Sequence, residues 1–309
     1  MNNLEVFFFE SFLKDLLLIN DLTDISFNGK SLYYETISQG RFKYDQDLRN
    51  FDISHFIKQL ANLSGHLFSY KNPILDISIK NFRINAVHSL SGRFNDAPTV
   101  TFTIRRLSSQ VIEIKDLKLK KIILSLLEKE QSIIIYGKSG SGKTELQKYL
   151  LSQIRSTKRL YIIDNIGELS YLGSLVTAEV NFWQLNDAFE IKIDSLIKNA
   201  LRSNPDWLVI AEVRGEELVP TISSALSGHP MICTMHADDE TSLMNRMANI
   251  YQSAFPKIDV AVFKMSLNDV FPCRILMTKT ITNKGVERRI EHITRFENGQ
   301  LKILYQRKQ

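Results

Sequence analysis

Cysteine is scarce in this chain: there are two in 309 residues, Cys233 and Cys273, in unrelated contexts. No CxxC pair exists, so neither a structural zinc site nor a disulfide framework is expected, and the usage fits a reducing, cytosolic compartment. Long apolar runs are missing too. The greasiest stretch, LEVFFFESFLKDLLLIN, is interrupted by Glu5, Glu10, Lys14 and Asp15, and nothing reaches the roughly 18–20 apolar residues that span a bilayer. No basic region leads into an apolar stretch with a small-residue cleavage site, so no signal peptide is expected. The stretch reads as an amphipathic helix packed on the first domain, with peripheral membrane contact as the weaker alternative. Repeats and low-complexity segments are absent as well.

What is present is ordinary globular composition, 44% hydrophobic and 24% charged, in a length that suggests two domains. The net charge of +5 and pI near 9.0 are mildly basic. Such a balance permits a nucleic-acid or acidic-membrane partner without indicating one.

Residues 20–107 alternate short apolar runs with turn signals: DISFNGKSLYYE, SQGRFKYD, PILDISIKNFRINAVHSL and APTVTFTIRRL. Asn28-Gly29 and Gln39-Gly40 fit hairpin turns between strands of period two. FDISHFIKQLANLSG breaks that rhythm at helical spacing. The expectation is a small α+β domain over 1–107, built on an antiparallel sheet. A linker follows at 108–116, and IKDLKLKKIILSLLEKEQ then reads as a charged amphipathic helix whose lysines form its wet face. From 117 to 309 the rhythm changes. Continuous apolar runs (SIIIY, RLYIID, DWLVIAE, PMICTMH) alternate with helical stretches, which predicts an α/β domain with a parallel sheet covered on both faces. ITNKGVERR and FENGQLKIL predict a terminal pair of hairpins.

Gly137, Lys138, Ser139, Gly140, Ser141, Gly142, Lys143 and Thr144 spell GKSGSGKT, a phosphate-binding loop set between a predicted strand and a predicted helix. Glycines let successive N–H groups turn inward onto anionic oxygens, and the helix that follows adds its positive end. Lys143 supplies a charge for the β- and γ-phosphates, and the Thr144 hydroxyl is a ligand for Mg²⁺. ATP is the expected nucleotide. Phosphoryl chemistry also needs groups to position water and metal. Glu212 ends the strand WLVIAE, Asp164 ends RLYIID, and Glu168 lies just beyond. Carboxyl ends of parallel strands line the ligand crevice, so these acids are expected beside the loop. The alternative for each is a solvated strand-end acid.

Two histidines flank the apolar run of SGHPMICTMHADDE. An extended run of seven residues spans roughly 23 Å, so His229 and His236 cannot share a metal ion. His236 is expected at the carboxyl end, beside Glu212 and the loop, where it could hydrogen-bond the γ-phosphate or the acid. His229 is expected at the opposite pole, as a packing or subunit-contact residue.

Taken together, these motifs resemble the ring ATPases of type II/IV secretion, type IV pili and conjugation. GKSGSGKT, IIDNIGEL, NALRSNPDWLVIAEVRG and SGHPMICTMHADD occur in that family's order and spacing, and upstream LTDISFNGKSLYYE and TVTFTIRRL resemble its N-terminal domain. The resemblance covers nearly the whole chain and is strongest to the conjugation/type IV secretion and Tad-pilus (CpaF-like) branches. It implies a RecA-like C-terminal domain, a homo-hexameric ring and nucleotide sites between the two domains. Lys143 and Thr144 would serve phosphates and Mg²⁺, and Glu212 the Walker B position. Asp164, Asn165 and Glu168 would form an acidic box, with His229 and His236 in a histidine box. Arg105 and Arg106 would sit on a strand leaning over the nucleotide, with Arg202 and Arg214 near the site or the neighbouring subunit. Ala211 replaces the usual glycine before the Walker B acid, and the box departs from the commoner Glu-Asp-x-x-Glu. Membrane-bound secretion or pilus components are the implied partners, and the implied location is cytoplasmic, peripheral at the membrane. A PilT-like retraction motor is one alternative. A RecA-like nucleic-acid motor is another, although no basic stripe interleaved with aromatics supports direct nucleic-acid binding. A nucleotide-dependent scaffold with weak turnover is a third, suggested by the Asp164 and Asn165 departures.

Overall fold

A computed structural model describes residues 2–307 except 46–47, 49–50, 108–112, 165–166, 170–171, 173–174, 185–191, 216 and 283–284. The chain divides into two compact units, residues 1–108 and 109–309. Part of the expected linker, 108–112, falls outside the described residues.

The first unit starts with α1 (Asn3–Phe9) and α2 (Lys14–Leu17), followed by β1 (Leu22–Phe27), β2 (Leu32–Thr36) and β3 (Gly40–Tyr44). Then come α3 (Ile53–Leu63), β4 (Ile74–Ile79), β5 (Phe82–Val87), the small ribbon β6 (Arg93–Phe94) and β7 (Ala97–Pro98), and β8 (Thr101–Arg106). Six strands form an antiparallel sheet in the order β3-β2-β1-β8-β5-β4. Strict alternation of buried and exposed residues along β4 shows one face in the core and one outside. The first helices and α3 cover the inner face through Phe8, Leu13, Leu16, Ile57 and Leu60.

The expected single N-terminal helix is two short ones. Its apolar residues do not keep one helical stripe. The turn at residues 10–13, where Lys14 N–H reaches the Ser11 carbonyl at 3.0 Å, lets Phe8, Leu13, Leu16 and Leu17 all enter one core. Among the described residues, no helix is long and apolar enough to cross a membrane.

The second unit runs α4 (Leu117–Glu128), β9 (Ile133–Tyr136), α5 (Lys143–Ser152), β10 (Arg159–Asp164), β11 (Glu179–Gln184), α6 (Ile193–Leu201), β12 (Trp207–Ile210) and α7 (Leu218–Leu226). It continues with β13 (Met231–Met235), α8 (Glu240–Ala254), α9 (Val260–Val270), β14 (Cys273–Thr282), β15 (Gly285–Glu297) and β16 (Gln300–Gln306). One sheet holds eight strands in the order β11-β10-β12-β13-β9-β14-β15-β16. Pairing is parallel from β11 through to β14, and antiparallel in the terminal meander. Along β9, Ile133 and Ile135 enter the core built with α4 and α5. Ile134 and Tyr136 enter the core built with α6 to α9. Helices therefore cover both faces of an α/β sheet, and β9, buried throughout, reads as an unbroken apolar run because both its faces are dry.

Candidate functional site

Four parallel strands, β10, β12, β13 and β9, are neighbours, so whatever follows each of them emerges along one edge. β9 delivers the phosphate loop, β10 ends in Asp164, β12 leads into Glu212 and β13 into His236. The sequence expectation that these groups share one side holds geometrically, and the local hydrogen bonds explain how tightly. Ala211 N–H donates to the Ile163 carbonyl at 3.0 Å and Val213 N–H to the Thr234 carbonyl at 2.8 Å. Glu212 is thus strapped between the ends of β10 and β13. Gln147 of α5, fully buried, donates through Nε2 to the carbonyls of Ile210 and Ile232 at 3.0 and 3.3 Å, tying the loop's helix to the same edge.

The loop needs glycine at defined points. Gly142 caps α5 with φ +91°, a left-handed conformation that side chains resist. At Gly137 a Cβ would lie 2.2 Å from the Met277 carbonyl oxygen, so β14 packs against the loop's entrance only because no side chain is there.

Lys143 is 7% exposed. Its Nζ donates to the carbonyls of Gly137 and Lys138 at 3.0 and 3.1 Å and to His236 Nδ1 at 3.1 Å. Burial pushes its pKa down to about 8, against the opposing pull of Glu212 and Glu168. Because Nδ1 accepts, the His236 ring proton sits on Nε2. That nitrogen is 2.9 Å from Glu212 Oε1, but off the line an N–H···O bond requires, so Oε1 is buried without a hydrogen bond among the described residues. Burial, then the neighbouring Lys143 charge, hold His236 below its ordinary pKa and therefore neutral at pH 7, with Glu212 opposing. The other Glu212 oxygen accepts from Arg214 Nη2 at 2.7 Å. Burial acts to raise the Glu212 pKa, but the charges of Arg214 and Lys143 outweigh it, and the carboxylate stays ionised. Ser141 Oγ is likewise buried with no hydrogen bond among the described residues.

The other expected site residues divide. Asp164 is fully buried and accepts from Leu169 N–H at 2.7 Å, which anchors the loop after β10. Asn165 lies outside the described residues. Glu168 raises the pKa of Lys143, Glu145 and Arg214, which sets it beside the loop. Lys138, Ser139 and Gly140 are exposed at the loop's tip, and Thr144 is half-buried. Arg202 follows α6, five residues ahead of β12, and so sits at the strands' amino ends, away from the loop of its own chain. His229 is also at that pole, with Nδ1 3.1 Å from Ser227 Oγ. In the first unit, Arg105 is 60% exposed and pairs with Asp24 at 3.0 Å. Arg106 caps α2 by donating to the carbonyls of Leu17, Ile19 and Asn20 and lies over the Phe82 ring.

Sequence reasoning missed groups from the terminal meander. Tyr136 Oη meets His292 Nε2 at 2.8 Å, and Arg274, 2% exposed, bonds Glu240 and Asn268. Arg288 Nε donates to the Gly140 carbonyl at 2.9 Å. Their separation from the loop by more than a hundred residues leaves no local signal.

The carboxyl-edge loop, its lysine and the strand-end acids define an α/β domain of the P-loop class. Comparison with known proteins agrees: the family described as type II/IV secretion system protein matches residues 36–295, and the chain belongs to that family, which includes secretion and pilus ATPases. An uncharacterized protein of Bacillus anthracis is 28% identical over 89% of this chain and 64% of its own length. The conjugal transfer protein TrbB of Rhizobium radiobacter is 24% identical over 63% of this chain and 60% of its own. The type IV pilus ATPase PilU of Pseudomonas aeruginosa is 27% identical over 56% and 44%. The chain therefore spans less than two thirds of these relatives. Among solved structures, the Legionella pneumophila ATPase DotB superposes with a TM-score of 0.68 at 18% identity, covering 90% of this chain and 78% of that one. The pilus retraction motor PilT with bound ADP gives 0.63 at 19%, covering 94% and 82%. Both support the fold.

Proposed function

We propose that this chain hydrolyses ATP as the subunit of a homo-hexameric motor, acting on the cytoplasmic side of a membrane-bound type IV secretion, conjugation or Tad/type IV pilus machine. The observation that carries the catalytic part is the line Lys143–His236–Glu212–Arg214 at the loop's edge. It joins the loop's charge to an ionised acid through a neutral imidazole.

The residues suit a magnesium–triphosphate. The loop carries a buried lysine held, among the described residues, by the loop's own carbonyls and one imidazole, so its charge is available to an entering anion. Ser141 Oγ and Glu212 Oε1, both buried without a hydrogen bond among the described residues, are atoms that a ligand or its water would satisfy. Mg²⁺ would be held by Thr144, with Glu212 and Asp164 nearby, and would neutralise charge on the β- and γ-phosphates. Lys143 moves its proton donors from the Gly137 and Lys138 carbonyls to those phosphates. That shift releases His236 Nδ1, whose Nε2–H then orients against Glu212. Glu212, kept ionised, orients the attacking water through Oε1. Cleavage and release of the terminal phosphate return Lys143 to its loop contacts, which gives the site two states for a motor to use.

Arg105, Arg106, Arg202 and His229 enter this reading only through the family resemblance, as candidates for nucleotide or subunit contact. The test is nucleotide binding and turnover by wild type and Lys143→Ala. We expect Mg²⁺-dependent turnover in the first and neither binding nor turnover in the second. Equal ATP affinity in the two proteins would remove the assignment of the loop.

A further inference from the structure

The terminal meander carries a charge arrangement that the loop and its acids do not explain. β14 and β15 pair so that Lys279 stands directly opposite Arg288. Residues opposed in an antiparallel pair share a face, and like charges there repel. Neither residue forms a salt bridge among the described residues. Glu287, the neighbour of Arg288, is engaged by Arg289. The acid that does feel Arg288 is Glu145, itself bound to Lys148 at 3.0 Å.

Both cations face the tip of the phosphate loop. Arg288 Nε donates to the Gly140 carbonyl at 2.9 Å. Lys279 Nζ lies 3.7 Å from where a Cβ on Gly140 would be, and Arg288 Cδ 3.3 Å from where one on Gly142 would be. A repelling pair of exposed cations beside a phosphate loop is relieved by an anion bridging them. Arginine's planar fork and lysine's compact charge are both suited to phosphate oxygens.

We propose that Lys279 and Arg288 bind the nucleotide's polyphosphate directly, forming a second cationic wall that the terminal meander places against the loop at the α- and β-phosphates. The proposal rests on the ATP-binding reading of the loop. It adds that nucleotide affinity depends on residues more than 130 positions downstream of that loop. Because the γ-phosphate is left to Lys143, ADP and ATP should feel the two residues alike.

The test is titration of fluorescent ADP against wild type, Lys279→Ala, Arg288→Ala and Arg288→Lys, with KM and kcat for ATP and a thermal melt for each. Loss of one charge-assisted phosphate contact corresponds to roughly tenfold weaker ADP binding. That loss is expected in each alanine variant, with a similar rise in KM, a smaller effect on kcat, and partial recovery in Arg288→Lys. A weaker dependence of ADP affinity on salt in the alanine variants would also support it. ADP affinity within twofold of wild type in both alanine variants would overturn it. So would a loss confined to Arg288→Ala and matched by a lower melting temperature, because Arg288 would then only brace the Gly140 carbonyl. A wild type that binds no nucleotide at all would overturn the loop's assignment, and this proposal with it.

Discussion

Lys143 is a cation buried among carbonyls and one imidazole, with its pKa pushed down to about 8 by burial. A bound polyphosphate favours the charged form, so nucleotide binds the protonated lysine and raises its pKa again. Above pH 8 the ligand-free protein has lost that proton and must take one up to bind. ATP affinity measured from pH 7 to 9.5 is therefore expected to hold steady and then to fall by up to tenfold per unit beyond about 8. A flat profile would mean that Lys143 keeps its charge in the free protein. The sequence made the loop, Glu212 and His236 legible, because strand-end position and residue type suffice to place them. The link from Lys143 to His236 was not legible, since it depends on how far β13 runs alongside β9: their register pairs Met235 with Tyr136 and so brings the next residue, His236, level with the loop. Nor was the distinction between the two arginines of β8, since TFTIRR gives no sign of what each guanidinium meets.

Those arginines carry an expectation at the scale of elements. Arg106 holds the carbonyl end of α2 and the turn after it, and burial lowers its pKa. Removing a charged donor shared by three carbonyls, in part-buried and exposed contacts, costs about 2 kcal/mol, so Arg106→Ala should lower the urea midpoint of unfolding. Arg105, itself exposed and paired among the described residues with Asp24, should have almost no effect on stability when replaced by alanine. Its influence, if the family resemblance extends to it, falls on ATP turnover. Equal loss of stability in the two variants would contradict this division. Elements with strong local patterns were legible: the hairpin at Asn28-Gly29, helix α3 and the apolar parallel strands. β11 was not, because the alternation of EVNF breaks at Trp183 after four residues and no continuous apolar run replaces it. The break between α1 and α2 was not, because it is decided by where Phe8 and Leu13 find a shared core rather than by any helix-stopping residue.

For the whole molecule, family membership leads to assembly. The proposed motor would work as a closed ring, whose symmetry would place the same patch of each subunit against the next. Arg202 and His229 lie at the pole opposite the phosphate loop, where a residue can serve a neighbouring subunit but not its own nucleotide. Sedimentation in Mg²⁺ and ATP is expected to show a sixfold species that recedes when nucleotide is removed. A monomer at all concentrations and nucleotide states would contradict the ring, although the loop's binding of ATP would stand.

Glu212→Gln separates these claims most directly. The change keeps the shape of the side chain and its reach towards Arg214 while removing the charge proposed to orient water. ATP should bind within a few-fold of wild-type affinity, while single-turnover hydrolysis should fall by at least a hundredfold, or about 2.7 kcal/mol. Hydrolysis at the wild-type rate in that variant would contradict the role given to the Lys143–His236–Glu212 line.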